Sequence, residues 1–467
     1  MIHIIFCIMF GGIFVMDVFM MELTTIVNTL RDFLWDYALM YLLVATGIYF
    51  TLRLGFVQIR KFGAGFKAMF GNFSLHGKSK EGGLSSFQAL TTAIAAQVGT
   101  GNIAGAATAI ASGGPGAIFW MWLSAFFGMS TIYAEAVLAQ HTRVKQNGTY
   151  IGGPAYYIRA IFKGAFGKFL ATFFSIALIL ALGFMGNMVQ SNSIGDAFYN
   201  AFHIPPIAMG IFVAVVAGFI FIGGIKRIAR FTEKIVPIMA LFYIVGCLVI
   251  LCMNLSGVIN AFHDIFIMAF APQSVAGGAL GITVKEAMRY GIARGLFSNE
   301  AGMGSTPHAH ATAIVKHPTD QGIVAMMGVF IDTFVILTLT ALVILSTGAL
   351  NSGLTGSSLA QYAFNSAFGS FGDVFIAICM LFFAFTTIIG WYFFGEVNVK
   401  SLFGQKATKI YAVLVICFVV IGSTLKVDLV WTMADMFNGL MVLPNLIALL
   451  AGSGIVIRLA RENDHKK

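Results

Sequence analysis

Apolar residues in this chain fall in stretches of roughly 20 or more, the length a helix needs to cross a hydrocarbon core about 30 Å thick. Polar and charged positions gather in the connections between them. Eleven spans follow, near 37–55, 87–111, 117–140, 169–199, 206–225, 234–254, 283–311, 322–348, 372–395, 409–425 and 436–457. The pattern predicts an all-α polytopic membrane protein. Segment 265–284 is uncharged and also long enough to span, but Pro272 and Gly277-Gly278 interrupt it. It is expected to be an external re-entrant or surface segment.

Composition agrees, with 58% hydrophobic and 10% charged residues where soluble domains carry about 25% charged. The net charge of +9 does not point to nucleic acid, because the basic residues sit in short loops on alternate sides. Loops 53–80, 143–168, 226–234, 316, 400–409 and the tail 458–467 hold 23 of the 28 Lys and Arg. Connections 200–206, 255–284 and 348–371 hold none. The positive-inside rule puts the tail in the cytoplasm and the segment just before the first span outside, and the protein is expected in the cytoplasmic (inner) membrane. Five cysteines lie in apolar runs without CxxC spacing and read as small hydrophobes. Residues 2–16 are apolar but lack a basic flank and a cleavage site, so they make a poor signal peptide. Residues 1–36 are expected to be an N-terminal extension, with translation beginning at Met20 or Met21.

Inside the spans, glycine and polar residues concentrate at two places. One is Gln97 to Gly105; the other runs from Gly295 to Pro307 through Ser298-Asn299-Glu300. The first is no dinucleotide fingerprint, because its third glycine is one place late and no acid follows at the required distance. A GxxxG packing seam is the competing reading for Gly101 and Gly105. The two places fall in spans five apart, so they cross the membrane in opposite directions. That favours two inverted repeats, 87–254 and 283–457, each opening with an interrupted helix and preceded by an extra helix at 37–55. Unwound backbone survives in a membrane only where protein or a water-filled cavity meets it. There, helix N-termini favour a carboxylate and freed carbonyls favour Na⁺. Glycine supplies the permissive dihedrals.

These residues resemble the alanine or glycine:cation symporters. The likeness rests on Val98-Gly-Thr-Gly-Asn-Ile-Ala-Gly105, Gly152-Gly-Pro-Ala-Tyr-Tyr157, Gly186-Asn-Met-Val-Gln190 and Ala293-Arg-Gly-Leu-Phe-Ser-Asn-Glu-Ala-Gly302. It covers roughly residues 22 to 458. It implies a leucine-transporter-type fold of five plus five helices with one extra helix before them. It also implies inward movement of small neutral amino acids with Na⁺, or sometimes H⁺.

A zwitterion needs donors for its carboxylate, acceptors for its amine and a wall around its side chain. The backbone at Gly99 and Gly101 and the Thr100 hydroxyl are candidate carboxylate donors, and Asn102 is a candidate Na⁺ ligand. Asn187 and Gln190 share a helical face, and the resemblance tips them from inter-helix glue toward substrate contact. Thr386 and Thr387 read as a Na⁺ cage with the carbonyls of Ala95 and Val98, if the related geometry carries over. Trp391, one turn beyond Thr387, is a candidate pocket floor. Phe297 resembles the aromatic lid of related folds, and Ser298 beside it is a candidate oxygen ligand. Glu300 and Asp332 are intramembrane acids, which default to function. Each reads as a proton-coupling site or a structural partner, with Glu300 expected to pair with Arg294. His308 and His310 read as a solvated pair.

The expected activity is Na⁺-coupled symport of alanine or glycine. The alternatives are a proton-coupled carrier and a channel, the latter disfavoured by paired breaks. No HExxH, GxSxG or P-loop supports an enzyme or ATP coupling. No cofactor beyond the coupling ion and no obligate protein partner is indicated.

Overall fold

The computed structural model describes residues 22, 24–70, 83–146, 148–271, 283–425 and 427–464. The expected extra residues 1–20 and most of the interrupted segment 265–284 lie outside the described residues. The chain is almost wholly helical, and a two-stranded hairpin (Val144–Gln146 with Thr149–Ile151) is the sheet among the described residues. Each of the eleven expected spans coincides with a helix or an interrupted pair. Among the described residues, seven helices are long and apolar enough to cross a membrane.

In chain order the helices that matter begin with α1 (Thr24–Arg53). The first interrupted pair is α2 (Ser86–Gln97) and α3 (Ala106–Gly113). It is followed by α4 (Gly116–Thr142), the short α5 (Pro154–Ile161) and α6 (Gly164–Phe202). Then come α7 (Pro206–Phe221), α8 (Gly224–Met253) and α9 (Leu255–Met268). The second interrupted pair is α10 (Val284–Asn299) and α11 (Pro307–Ala311). The chain closes with α12 (Pro318–Ser346), α13 (Gly356–Phe368), α14 (Phe371–Phe403), α15 (Ala407–Gly422), α16 (Val427–Ala451) and α17 (Ser453–Asp464).

Both interrupted helices begin on the same device. The Ser85 hydroxyl accepts from the Gln88 amide at 3.0 Å while the Gln88 side chain accepts from the Ser85 amide at 3.1 Å. Thr283 and Glu286 repeat this reciprocal cap at 3.2 and 2.7 Å, satisfying donors that a helix start leaves open. Leu84 and Ala313 form a parallel bridge, with the Leu84 amide on Thr312 O and the Ile314 amide on Leu84 O, both at 3.0 Å. The start of one interrupted helix therefore lies beside the end of the other, and the two run antiparallel. Asp464 near the chain end pairs with Lys61 at 2.5 Å and Arg60 at 3.1 Å, so the α1–α2 connection and the tail share one side, called here the tail side. Partial burial raises the Asp464 carboxyl, but hydrogen bonds and charge from Lys61 and Arg60 win and hold it below its ordinary value.

Candidate functional site

The first break is short. Val98 turns extended (φ −79°, ψ 91°) and ends α2, and Gly101–Gly105 then winds as a π-turn into α3. The second break is longer. Glu300 adopts a left-handed conformation (φ 58°) and stops α10, and Gly302 (φ 91°) and Gly304 (φ 80°) carry the chain to α11. Left-handed backbone costs a residue with a Cβ, so the acid at 300 is held there by its surroundings. Gly99 and Gly101 do not have positive φ. The dihedral argument for them gives way to close approach. A Cβ on Gly101 would sit 2.9 Å from Ser298 Cα, and one on Gly99 would meet the Thr387 hydroxyl and lie 3.1 Å from Gln190 Oε1. Gly105, whose added Cβ would find nothing nearer than 3.7 Å, is not constrained this way.

Two further π-stretches flank the breaks, Ile179–Gly186 just before Asn187 and Phe330–Leu337 around Asp332. Such bulges gather at functional sites because they rotate side chains out of register. The other candidates lie close to the breaks. Thr387 Oγ1 lies 3.0 Å from Ala95 O, 3.1 Å from Phe383 O of its own helix and 3.5 Å from Val98 O. The Thr100 amide donates to Gln190 Oε1 at 3.1 Å. Asn187 donates to Gly183 O at 3.0 Å. Trp391 lies against Gly186 and meets Phe297 edge-to-face at 5.6 Å. All of these residues are buried. Among the buried side-chain atoms without a hydrogen-bond partner are Thr100 Oγ1, Asn187 Oδ1, Gln190 Nε2 and Ser191 Oγ. A buried polar atom left unpaired costs about 1–3 kcal/mol, and these atoms are free to hydrogen-bond a polar guest.

Asn102 and Ser298 converge on a residue that sequence reasoning left undecided. Asn102 donates to Asp332 Oδ1 at 2.6 Å and Ser298 donates to the same oxygen at 2.9 Å. Thr333 donates to the other oxygen at 2.8 Å. Asp332 thus ties both breaks together through one carboxyl group.

Three expectations are corrected. Thr386 turns its hydroxyl to Phe383 O (3.0 Å) and Met239 Sδ (3.6 Å), away from the Ala95 and Val98 carbonyls; the threonine back-bonds to its own helix. Arg294 does not pair with Glu300 but with Asp435, in a two-pronged bridge at 2.9 and 2.8 Å. Glu300 instead accepts from the Trp391 indole and the Ser305 hydroxyl. His308 and His310 are buried rather than solvated. His308 Nδ1 pairs with Ser305 O at 2.7 Å and Nε2 with Asn398 at 2.8 Å.

On the side opposite the tail lies a cavity of about 530 Å³, whose lining includes Arg289, Arg294, Asp196, Trp431 and Asp435. Ala104 of the first break and Trp431 both line it, with the Arg294 guanidinium 4.6 Å from the Trp431 ring and the Phe297 ring at 4.8 Å. Asp435, Trp431 and Glu135 were missed by sequence reasoning. Glu135, an acid inside an apolar run, carried the signal that could have found it.

A mostly helical chain with two antiparallel breaks, orphaned polar atoms beside one and a carboxylate between them has the build of a membrane carrier. Relatives bear this out. A "Sodium/alanine symporter AgcS" of Methanococcus maripaludis is 43% identical over 443 residues, covering 94% of this chain and 96% of that one. A "Probable sodium/glutamine symporter GlnT" of Bacillus subtilis is 40% identical, covering 95% and 91%. Among solved structures, MhsT in complex with L-phenylalanine aligns with a TM-score of 0.59 at 13% identity, covering 82% of this chain and 99% of that one; that likeness concerns the fold. The sodium:alanine symporter family matches residues 20–467, and the chain is therefore a multi-pass transporter, not an enzyme, and belongs to that family.

Proposed function

We propose that this protein carries alanine or glycine into the cell together with Na⁺ by alternating access. The observation that carries the reading is the set of unpartnered atoms Thr100 Oγ1, Asn187 Oδ1 and Gln190 Nε2 beside the first break. A hydroxyl and an amide N–H suit a carboxylate, and the Asn187 oxygen suits an amine. With the backbone at Gly99 and Gly101 they receive the zwitterion, and Phe297 and Trp391 wall its side chain. The Ala95 and Val98 carbonyls with Thr387 supply oxygens for one Na⁺. Asn102, Ser298 and Asp332 supply a second oxygen cluster that includes a carboxylate. Hard cations take such oxygen ligands. In this reading the protein sits in the cytoplasmic membrane, and the distribution of Lys and Arg supports a basic tail facing inside.

The test is reconstitution into vesicles with Na⁺ and H⁺ gradients imposed separately, reading uptake of a panel of labelled amino acids. Uptake of alanine or glycine driven by Na⁺ alone is expected. Uptake driven by a proton gradient alone moves the coupling ion to H⁺, and uptake that needs no gradient favours a channel.

A further inference from the structure

Glu135 and the Gly152–Tyr157 motif lie outside the substrate and cation shells, yet both bear on the second break. Glu135 sits in α4 with no exposed surface. Its Oε2 accepts from the Gly302 amide at 3.1 Å; its Oε1 accepts from the Gly304 amide at 2.9 Å and from Asn445 Nδ2 at 2.6 Å. Asn445, on α16, also donates to Gly302 O at 2.8 Å and accepts from the Tyr157 hydroxyl of α5. Pro154 of the same motif packs on Gly304, where an added Cβ would lie 2.8 Å from its Cγ. None of the ion pairs among the described residues includes Glu135.

Every partner of this carboxylate is an N–H group, which can donate and never accept. Both oxygens must therefore accept at once. A carboxylate meets that demand, and an isosteric amide turns one of its ends into a donor facing a donor. The amides at Gly302 and Gly304 were freed by the break itself, and each would cost several kcal/mol left unpaired in a membrane. We propose that Glu135 is a positioning residue for transport. Its carboxylate fixes the backbone of the second break and with it the placement of Phe297 and Ser298. Tyr157, through Asn445, links the tail-side motif to the same carboxylate, so that movement of that motif is felt at the break.

The proposal rests on the substrate lying between the breaks, and its test separates the two. Purified Glu135→Gln is compared with wild type by amide hydrogen exchange without ligand, then by stabilisation with Na⁺ and with alanine. Exchange at 302 and 304 should rise while that at 98–102 stays unchanged. Alanine affinity should fall about tenfold or more, as loss of hydrogen bonds to a charged group predicts, with the response to Na⁺ retained. Tyr157→Phe should move both readouts in the same direction by less. Unchanged exchange at 302 and 304 overturns the brace. Wild-type alanine affinity, or joint loss of the Na⁺ and alanine responses with a lowered Tm, overturns the positioning role. If Glu135→Gln fails to fold, Glu135→Asp and Tyr157→Phe carry the same comparisons. The exchange measurement needs no ligand and decides the brace even where the substrate reading fails.

Discussion

Asn102 and Asp332 are joined by a 2.6 Å hydrogen bond from side-chain amide to carboxylate, across 230 residues of chain. The other end of the Asn102 amide accepts from the Gly99 N–H at 2.9 Å. One side chain therefore closes the first break on itself and ties it to α12, while Ser298 brings the second break to the same carboxylate. The relationship puts an acidic side chain where the two interrupted helices meet.

Asp332→Asn keeps the shape and removes that acidic group. Losing one partner of a buried charge interaction costs about 2–5 kcal/mol. The Na⁺ concentration for half-maximal alanine uptake in vesicles should rise at least about tenfold. Unaltered Na⁺ dependence would leave Asp332 as a structural tie and remove the second cation cluster from the reading.

Thr387→Ala should weaken apparent Na⁺ affinity about fivefold, the effect of one oxygen contact worth ~1 kcal/mol, in protein that still inserts and folds. Thr386→Ala should do less, because both hydroxyls bond Phe383 O but Thr387 alone of the two reaches the Ala95 and Val98 carbonyls, while Thr386 turns to Met239. Equal effects of the two substitutions on Na⁺ titrations of uptake would mean that both hydroxyls serve the ion.

The pocket should be small. Phe297 and Trp391 meet edge-to-face at 5.6 Å, and Trp391 is fixed against Gly186 on one side and tied to Glu300 by its indole N–H. An extra methylene pressed into a packed site costs about 1–3 kcal/mol. Leucine, phenylalanine and glutamine should therefore compete poorly with labelled alanine. Competition by leucine at the concentration where alanine itself competes would remove the aromatic wall from the substrate reading.

The positions of both breaks were legible because glycine and polar residues are conspicuous in an apolar run. The facing of Thr387 on Ala95 was legible from the resemblance. What the sequence hid were partners distant in the chain. Arg294 stands near Glu300 in sequence, but α16 brings Asp435 to it across 141 residues, and only packing chooses between them. The rotamer that turns Thr386 away from the break leaves no trace in its neighbours along the chain. His308 looked like a helix-end residue in solvent, until α6 and α14 stacked Phe174 and Phe394 near its ring.

The glycines of the first break separate a binding segment from a packing seam. Gly101 lies where a Cβ would press on the Ser298 backbone at 2.9 Å, whereas Gly105 has room for one. Gly101→Leu should drive the two breaks apart, and alanine binding should be lost in whatever protein remains monodisperse. Gly105→Ala should be mild in both folding and binding, since a single methyl there meets no closer neighbour than 3.7 Å, and it replaces a helical glycine with a better helix former. A pure GxxxG seam predicts the reverse order of damage: loss of expression or Tm first for both substitutions, with affinity intact in the surviving fraction. The deciding measurement is alanine affinity in purified Gly101→Leu against Gly105→Ala. Wild-type affinity in Gly101→Leu would place the substrate elsewhere in the molecule.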